Sequence, residues 1–273
     1  MSLAKVLRPK SIIRIKGAST EVLDDLIAVE EPLEIRVGGR SVAVVMRTPG
    51  RDRELAAGFL ISEGLLRGRD DVLDMVYCRA DGPAAGVPEE NVLDVLLAPG
   101  VVVDWARLSR NLFTSSSCGI CSRATIEAVR GQFPPLALKL APSREVLVAL
   151  PDRLRAAQEG FAATGGLHAS ALFDAEGNIA VVREDVGRHN ALDKVIGWAF
   201  LAGNLPLAGR ILLVSGRVSF EIMQKALAAG IPAVAAISAP TSAAVEFAEA
   251  SGQTLVGFLR GSGMNVYAGT FEP

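Results

Sequence analysis

The second half of this chain repeats a helix pattern followed by a strand pattern three times, and that regularity constrains the fold most. A helical stretch at 188–201 leads to an apolar strand at 211–215. A second at 220–229 leads to 233–238, and a third at 243–250 leads to 254–259. The strands are continuous apolar runs rather than alternating ones, as expected of a parallel sheet with helices on both faces. Before these units, Leu147, Leu150, Leu154, Ala157 and Phe161 keep helical spacing from about Ser143, with Pro151 kinking or restarting the helix. A hairpin of 168–173 with 179–183, turned at Glu176-Gly177-Asn178, completes the half.

The first half reads as short strands around one helix. A hairpin is expected at 33–37 and 41–48 across Gly38-Gly39. A helix then starts at 49–52, with Leu55, Phe59 and Leu66 on one face, and strands follow at 72–78 and 92–97 around a loop at 81–88. Beyond 118–121, Ile126 and Val129 continue a helix that stops by Phe133-Pro134-Pro135. The expected class is α/β: a smaller α+β domain over 1–135 and a layered α/β domain over 136–273.

Half of the 273 residues are hydrophobic, which excludes a disordered chain. The longest apolar runs break well short of a membrane span, and residues 1–16 lack the continuous apolar block of a secretory signal. Those sixteen residues carry five basic side chains and no acidic one, and read as a solvated arm. A net charge of −2, scattered cations and 5% aromatics argue against nucleic acid as a partner. Cytoplasm is the expected compartment, with no membrane partner; homodimer formation is left open.

Two of the three cysteines, Cys118 and Cys121, stand as Cys-x-x-Cys just before a helical pattern. Helix N-termini favour the thiolate, lowering the thiol pKa from its free value of about 8.5. The third, Cys78, reads as a small apolar strand residue. Zinc fits poorly. Four ligands would have to come from Cys118, Cys121, His168 and His189 in distant segments, and no His-x-Glu accompanies the pair as a nucleobase deaminase requires. A thioredoxin-like role is weakened because Ser115-Ser116-Ser117, not a strand, precedes the motif.

At the carboxyl ends of the three apolar strands stand Ser215-Gly216-Arg217, Ser238-Ala239-Pro240-Thr241-Ser242 and Arg260-Gly261-Ser262-Gly263. Open α/β sheets bind ligands there, and small residues with hydroxyls and guanidinia suit a phosphate or pyrophosphate. The same residues also serve as ordinary caps and turns. His189 opens a helix inside the polar run 184–194, where local evidence slightly favours an Asp185 or Asn190 cap with the imidazole tied to a neighbouring carboxylate. His168 follows Thr164-Gly165-Gly166-Leu167, where a strand-starting histidine bonded to backbone would explain it equally well.

Taken together, these segments resemble the formate dehydrogenase accessory sulfurtransferase family. The resemblance rests on Ser116-Ser117-Cys118-Gly119-Ile120-Cys121, Thr164 to His168, the run 184–194, Ser215-Gly216-Arg217, Pro240-Thr241-Ser242, Phe258-Leu259-Arg260-Gly261 and Met264-Asn265-Val266-Tyr267. Ser122 and Ser170 depart from the glycine and alanine common there. The resemblance implies a carrier that takes sulfur from a cysteine desulfurase as a persulfide and passes it to the molybdenum cofactor of formate dehydrogenase. That cofactor, Mo-bis-molybdopterin guanine dinucleotide, would be held as cargo, with no zinc expected. Cys118 would bear the persulfide, with Cys121 assisting. The stretch Phe258, Leu259, Arg260, Gly261, Ser262 and Gly263 would bind the cofactor, beside Ser215, Gly216, Arg217, Thr241, Ser242 and His189. The implied partners are the desulfurase, the catalytic subunit of formate dehydrogenase and the guanine nucleotide moiety of the cofactor. The implied fold of the second half is cytidine deaminase-like. Two other readings remain: a chaperone that only holds the cofactor or the dehydrogenase, and a zinc-dependent deaminase-like hydrolase.

Overall fold

The computed structural model describes residues 6–78, 89–105, 133–137 and 139–272. Cys118, Cys121, the helix expected after them and the loop expected at 81–88 lie outside the described residues.

The first half contains β1 (Leu7–Lys16), β2 (Ser19–Ala28), β3 (Glu31–Val37), β4 (Arg40–Arg47), α1 (Asp52–Ser62), β5 (Val72–Tyr77) and β6 (Val92–Leu97). The second half contains α2 (Arg144–Ala156), α3 (Glu159–Thr164), β7 (His168–Phe173), β8 (Ile179–Asp185), α4 (Arg188–Leu201), β9 (Ile211–Val214), α5 (Phe220–Ala228), β10 (Ala233–Ala236), α6 (Ser242–Ser251), β11 (Thr254–Arg260) and β12 (Gly263–Ala268).

A six-stranded sheet, ordered β12-β11-β10-β9-β7-β8, organises the second half. Its centre, β9-β10-β11, is parallel, as the apolar runs required, and antiparallel strands close both flanks. Successive strand residues point to opposite faces. Ala169, Ala171, Phe173, Ile211 and Leu213 therefore meet Leu147, Leu150 and Leu154 of α2 on one side. Leu172, Leu212, Val214 and Val234 meet α4, α5 and α6 on the other. The first half adds a four-stranded sheet, β4-β3-β6-β5, with α1 between it and α4.

The two halves join where α1 crosses α4, and glycine makes the approach close. A Cβ on Gly58 would lie 1.8 Å from the carbonyl oxygen of Asp193, and one on Gly197 would lie 1.7 Å from that of Glu54. Only hydrogen fits at either position. The seam is lined with buried charges, and each has a partner of opposite sign. Arg47 forks onto Asp52 at 3.0 and 3.2 Å, and the Tyr77 hydroxyl also donates to Asp52. Burial, and then the charge of Asp52, push the Tyr77 phenol up to about 12. Arg183 pairs with Glu54, Lys194 with Asp185 at 2.6 Å, and Lys225 with Asp193 at 2.8 Å. Lys194 also donates to the Thr48 carbonyl while Thr48 N–H donates to Asp185, which ties the start of α1 to the start of α4.

The structure corrects four sequence expectations. Residues expected to form a solvated basic arm instead build β1, paired in full register with β2 around Gly17, whose φ is +60°. On one face of this ribbon Ile13 lies opposite Val22, and on the other Arg14 bridges to Asp25. The alternation was present, but its apolar face points to solvent. The helix at 143–161 runs through Pro151 and stops at Ala156, and Phe161 falls in the separate α3. Arg260 to Gly263 turns β11 into the antiparallel β12, a strand the sequence reading lacked. Leu66, expected on the first helix, lies beyond its end but is buried in the same core.

Candidate functional site at the carboxyl edge of the sheet

Because β9, β10 and β11 are parallel neighbours, their carboxyl ends fall side by side. Val218 N–H donates to the Ala239 carbonyl at 3.2 Å and Thr241 N–H to Val218 at 2.9 Å, joining the first loop to the second. Phe258 N–H donates to Ser238, and Arg260 Nε donates to the Ile237 carbonyl at 2.8 Å, joining the second to the third. The result is one rim carrying Ser215, Gly216, Arg217, Thr241, Ser242 and the stretch 258–263.

Within that stretch the side chains divide. Leu259 is buried in the core, whereas Phe258 is 40% exposed at a φ of +53°, where only a few per cent of non-glycine residues are found. A register break between Gly257 and Arg260 accompanies it, a bulge that re-aims the strand end. Arg260, Gly261, Ser262 and Gly263 are exposed, as are Arg217, Thr241 and Ser242. Two of the hydroxyls already have structural work. Ser215 Oγ accepts from Ala169 N–H at 2.9 Å, and Thr241 Oγ caps α6 by accepting from Ala244 N–H at 3.3 Å. Among the described residues Arg217 has no hydrogen bond or ion pair, and the buried Nε of Arg188, which packs beside Gly216, has no hydrogen-bond partner. The rim thus offers guanidinia and exposed backbone, a setting for an anion.

His189 lies on the same side of the sheet. Its Nε2 is 3.0 Å from Glu221 and 3.4 Å from Ser219 Oγ, and the hydrogen bond holds the Glu221 carboxyl below its usual range. Both partners approach one ring nitrogen, so these residues do not form a Ser–His–acid relay, which needs the carboxylate on the other nitrogen.

The sequence singled out His168 without a role, and the structure places it at the rim. Glu184 accepts from the N–H groups of Gly160 and Phe161, fixing the start of α3. Gly165, at φ +66°, ends that helix, and Gly166 leads the chain into β7 with His168 as its first residue. Burial, and then the charge of Arg188, push His168 below the usual imidazole range, so it is neutral at pH 7. His168 and Ser215 line a cavity of about 480 Å³ that also takes in Arg155, Gln158, Phe161 and Ile237. Sequence reasoning missed Arg155, Gln158 and Phe161 as site residues, because helix-end residues after Pro151 carry no local signature; the double glycine was the one pointer.

The chain on either side of 106–132 is described, and Phe133 lies at the opposite edge. It lines a cavity of about 370 Å³ with Leu205, Pro206 and Ala228, residues that precede β9 and β10. Val103 and Asp104 line a neighbouring cavity of about 410 Å³, and the two share Gly64 and Arg67. Among the described residues no group of three or more His, Cys, Asp or Glu could hold a metal ion. No helix of the described residues is long and apolar enough to cross a membrane.

Comparison with known proteins gives the relatives. The model of the FdhD/NarQ family matches residues 28–272. A sulfur carrier protein FdhD from Streptomyces avermitilis is 52% identical over 98% of this chain and 95% of its own length. One from Mycobacterium bovis is 56% identical over 89% and 90%, and one from Sulfolobus acidocaldarius 42% identical over 96% of each. Among solved structures, that of a proposed formate dehydrogenase accessory protein from Desulfotalea psychrophila shares the fold. It matches with a TM-score of 0.74 at 22% identity, over 96% of both chains.

Proposed function

Since the chain belongs to the FdhD/NarQ family, we propose that it is a sulfurtransferase. In this reading it receives sulfur from a cysteine desulfurase and delivers it to the Mo-bis-molybdopterin guanine dinucleotide of formate dehydrogenase. Membership implies sulfur transfer in the formate dehydrogenase system; the donor, the cargo and the persulfide are our reading. The observation that carries it is the rim: three strand ends bonded into one surface, with Arg188 and Arg217 unpaired among the described residues. Such a surface fits the pyrophosphates of a dinucleotide cargo.

In the first step the Cys118 thiolate attacks the outer sulfur of a desulfurase persulfide. The new S–S bond forms on Cys118 as the old one breaks, and the desulfurase cysteine leaves as a thiolate. Cys121, three residues further on, assists release or resolution. The cargo lies with its phosphates on the rim, where Arg217, Arg188 and Arg260 answer their charge and Phe258 offers an exposed ring. His189, paired to Glu221, lines the same surface. The cytidine deaminase-like layering belongs to the same proposal, supported by a sheet with α2 on one face and α4, α5 and α6 on the other. Cytoplasmic residence and the catalytic subunit of formate dehydrogenase as acceptor also follow from this reading.

The test is direct. After incubation with a desulfurase and cysteine, alkylation and peptide mass mapping should find one extra sulfur on the Cys118 peptide. Sulfur on Cys78 alone, or on no cysteine, would overturn the assignment.

A further inference from the structure

Among the described residues no further strand pairs with the β1–β2 ribbon, so both of its edges are open. One of its faces carries Ile13, Ile15, Val22 and Leu26 at 67, 71, 73 and 40% exposure. The ribbon is anchored at its base, where the buried Val29 donates its N–H to Val6 at 2.9 Å. There a Cβ on Gly166 would lie 3.7 Å from that of Ala28, so the ribbon rises beside the wall that leads to His168 and the rim. It lies ahead of residue 28, where the family's model begins to match.

The two edges differ. Gly17 and Ala18 form a two-residue turn, so Lys16 and Ser19 exchange the first ladder bonds and every second residue from there points its backbone outward. On β1 those residues are Ile15, Ile13, Ser11 and Pro9, and Pro9 has no N–H to offer. On β2 they are Thr20, Val22, Asp24 and Leu26, and only the Leu26 N–H is taken, by its neighbour Asp25 at 2.9 Å. The charges differ too. β1 holds Arg8, Lys10, Arg14 and Lys16 with no carboxylate, whereas β2 holds Glu21, Asp24 and Asp25 with no cation.

That segregation selects the occupant. Two-fold pairing of β2 with β2 of a second copy would set carboxylates against carboxylates, and β1 with β1 cations against cations. Pairing β1 with β2 of the next copy does not close and would grow filaments. Stacking two ribbons face to face covers roughly 34 by 10 Å, about 340 Å² a side against the roughly 800 Å² of a stable interface. The carboxylates of β2 also oppose an anionic lipid surface. A basic strand from a different protein meets none of these objections.

We propose that the open edge of β2 docks the protein that takes the cargo from the rim, by adding an extended segment of alternating apolar and basic residues. Its apolar side chains extend the face of Ile13 and Val22, and its cations meet Glu21 and Asp25 on the other face. The inference rests on the cargo reading above, which makes that protein the catalytic subunit of formate dehydrogenase, and adds the surface that holds it beside the rim.

Equilibrium binding of the full chain to the immobilised, cofactor-free catalytic subunit tests it. Ile13→Ser with Val22→Ser, and separately Glu21→Lys with Asp24→Lys, should each weaken binding at least about tenfold. Thermal unfolding, and sulfur loading of Cys118 by the desulfurase, should stay as in wild type. Wild-type affinity in both variants, or no binding by wild type, would overturn the inference. So would an equal loss of binding to the desulfurase, assemblies of this chain in sedimentation that the substitutions abolish, or ribbon-dependent binding to phosphatidylglycerol vesicles. Ribbon-dependent docking with no sulfur on Cys118 would instead support the surface while overturning the sulfur carrier reading, so the two fail separately.

Discussion

The seam between α1 and α4 and the rim at the strand ends are both rich in polar side chains, and they treat them in opposite ways. At the seam, Asp185, Asp193, Asp52 and Glu54 are deeply buried and each faces Lys or Arg. At the rim, Arg188 and Arg217 lack such partners among the described residues. Burial without a partner is costly and burial with one is roughly neutral, so the first pattern belongs to a joint and the second to a binding surface. Polar residues alone would not separate the two; their satisfaction does.

The largest expected effect breaks the joint. Gly197→Ala places a Cβ within bonding range of a backbone oxygen that cannot move without separating the helices. It should cost about 5 kcal/mol or more in urea unfolding. Next, Lys225→Met leaves the fully buried Asp193 without its counter-charge; burial already pushes that carboxyl upward against the pull of Lys225. A loss of about 3–5 kcal/mol is expected, largely recovered when Asp193→Leu is added. Failure of the second change to recover stability would show that the pair does more than neutralise itself.

Ser170→Ala should go the other way. Ser170 is 1% exposed and its hydroxyl has no hydrogen-bond partner among the described residues, so removing it should raise stability by about 1 kcal/mol. A loss instead would reveal a bond made by that hydroxyl. The smallest effect is at the rim and depends on pH. Glu221 titrates below its ordinary value of 4.5 because His189 donates to it, so its ionised form favours the fold. That contribution is complete above pH 4.5 and fades as pH falls through the lower folded value. The stability gap between wild type and Glu221→Gln should therefore close on acidification below pH 4.5; a widening gap would contradict the assignment.

How legible this was in the sequence depended on what each residue faces. Apolar runs gave β9, β10 and β11 because both faces of those strands are covered. The helix at 188–201 was recovered because Gly187 and Arg188 mark its start as clearly as Gly203 marks its end. The β1–β2 ribbon was missed because Ile13, Ile15 and Val22 are 67–73% exposed, and alternation without a core to face resembles a scattered tail. β12 was missed because Arg260 to Gly263 has the composition of any strand-end loop. The three rim loops could be placed from strand order alone. The cavity could not, because it joins the end of α2 and the start of β7, segments that only the fold brings beside Ser215. The pairing that distinguishes seam from rim is likewise a matter of distance: Asp185 and Asp193 read alike in the sequence until Lys194 and Lys225 are found against them.

The central claim is that this chain moves sulfur rather than merely holding a cofactor, and Cys118→Ala tests it most directly. Formate dehydrogenase matured with that variant should contain its molybdenum cofactor and guanine nucleotide yet show no formate oxidation. Active enzyme from the variant would contradict the account and leave a holding role in its place.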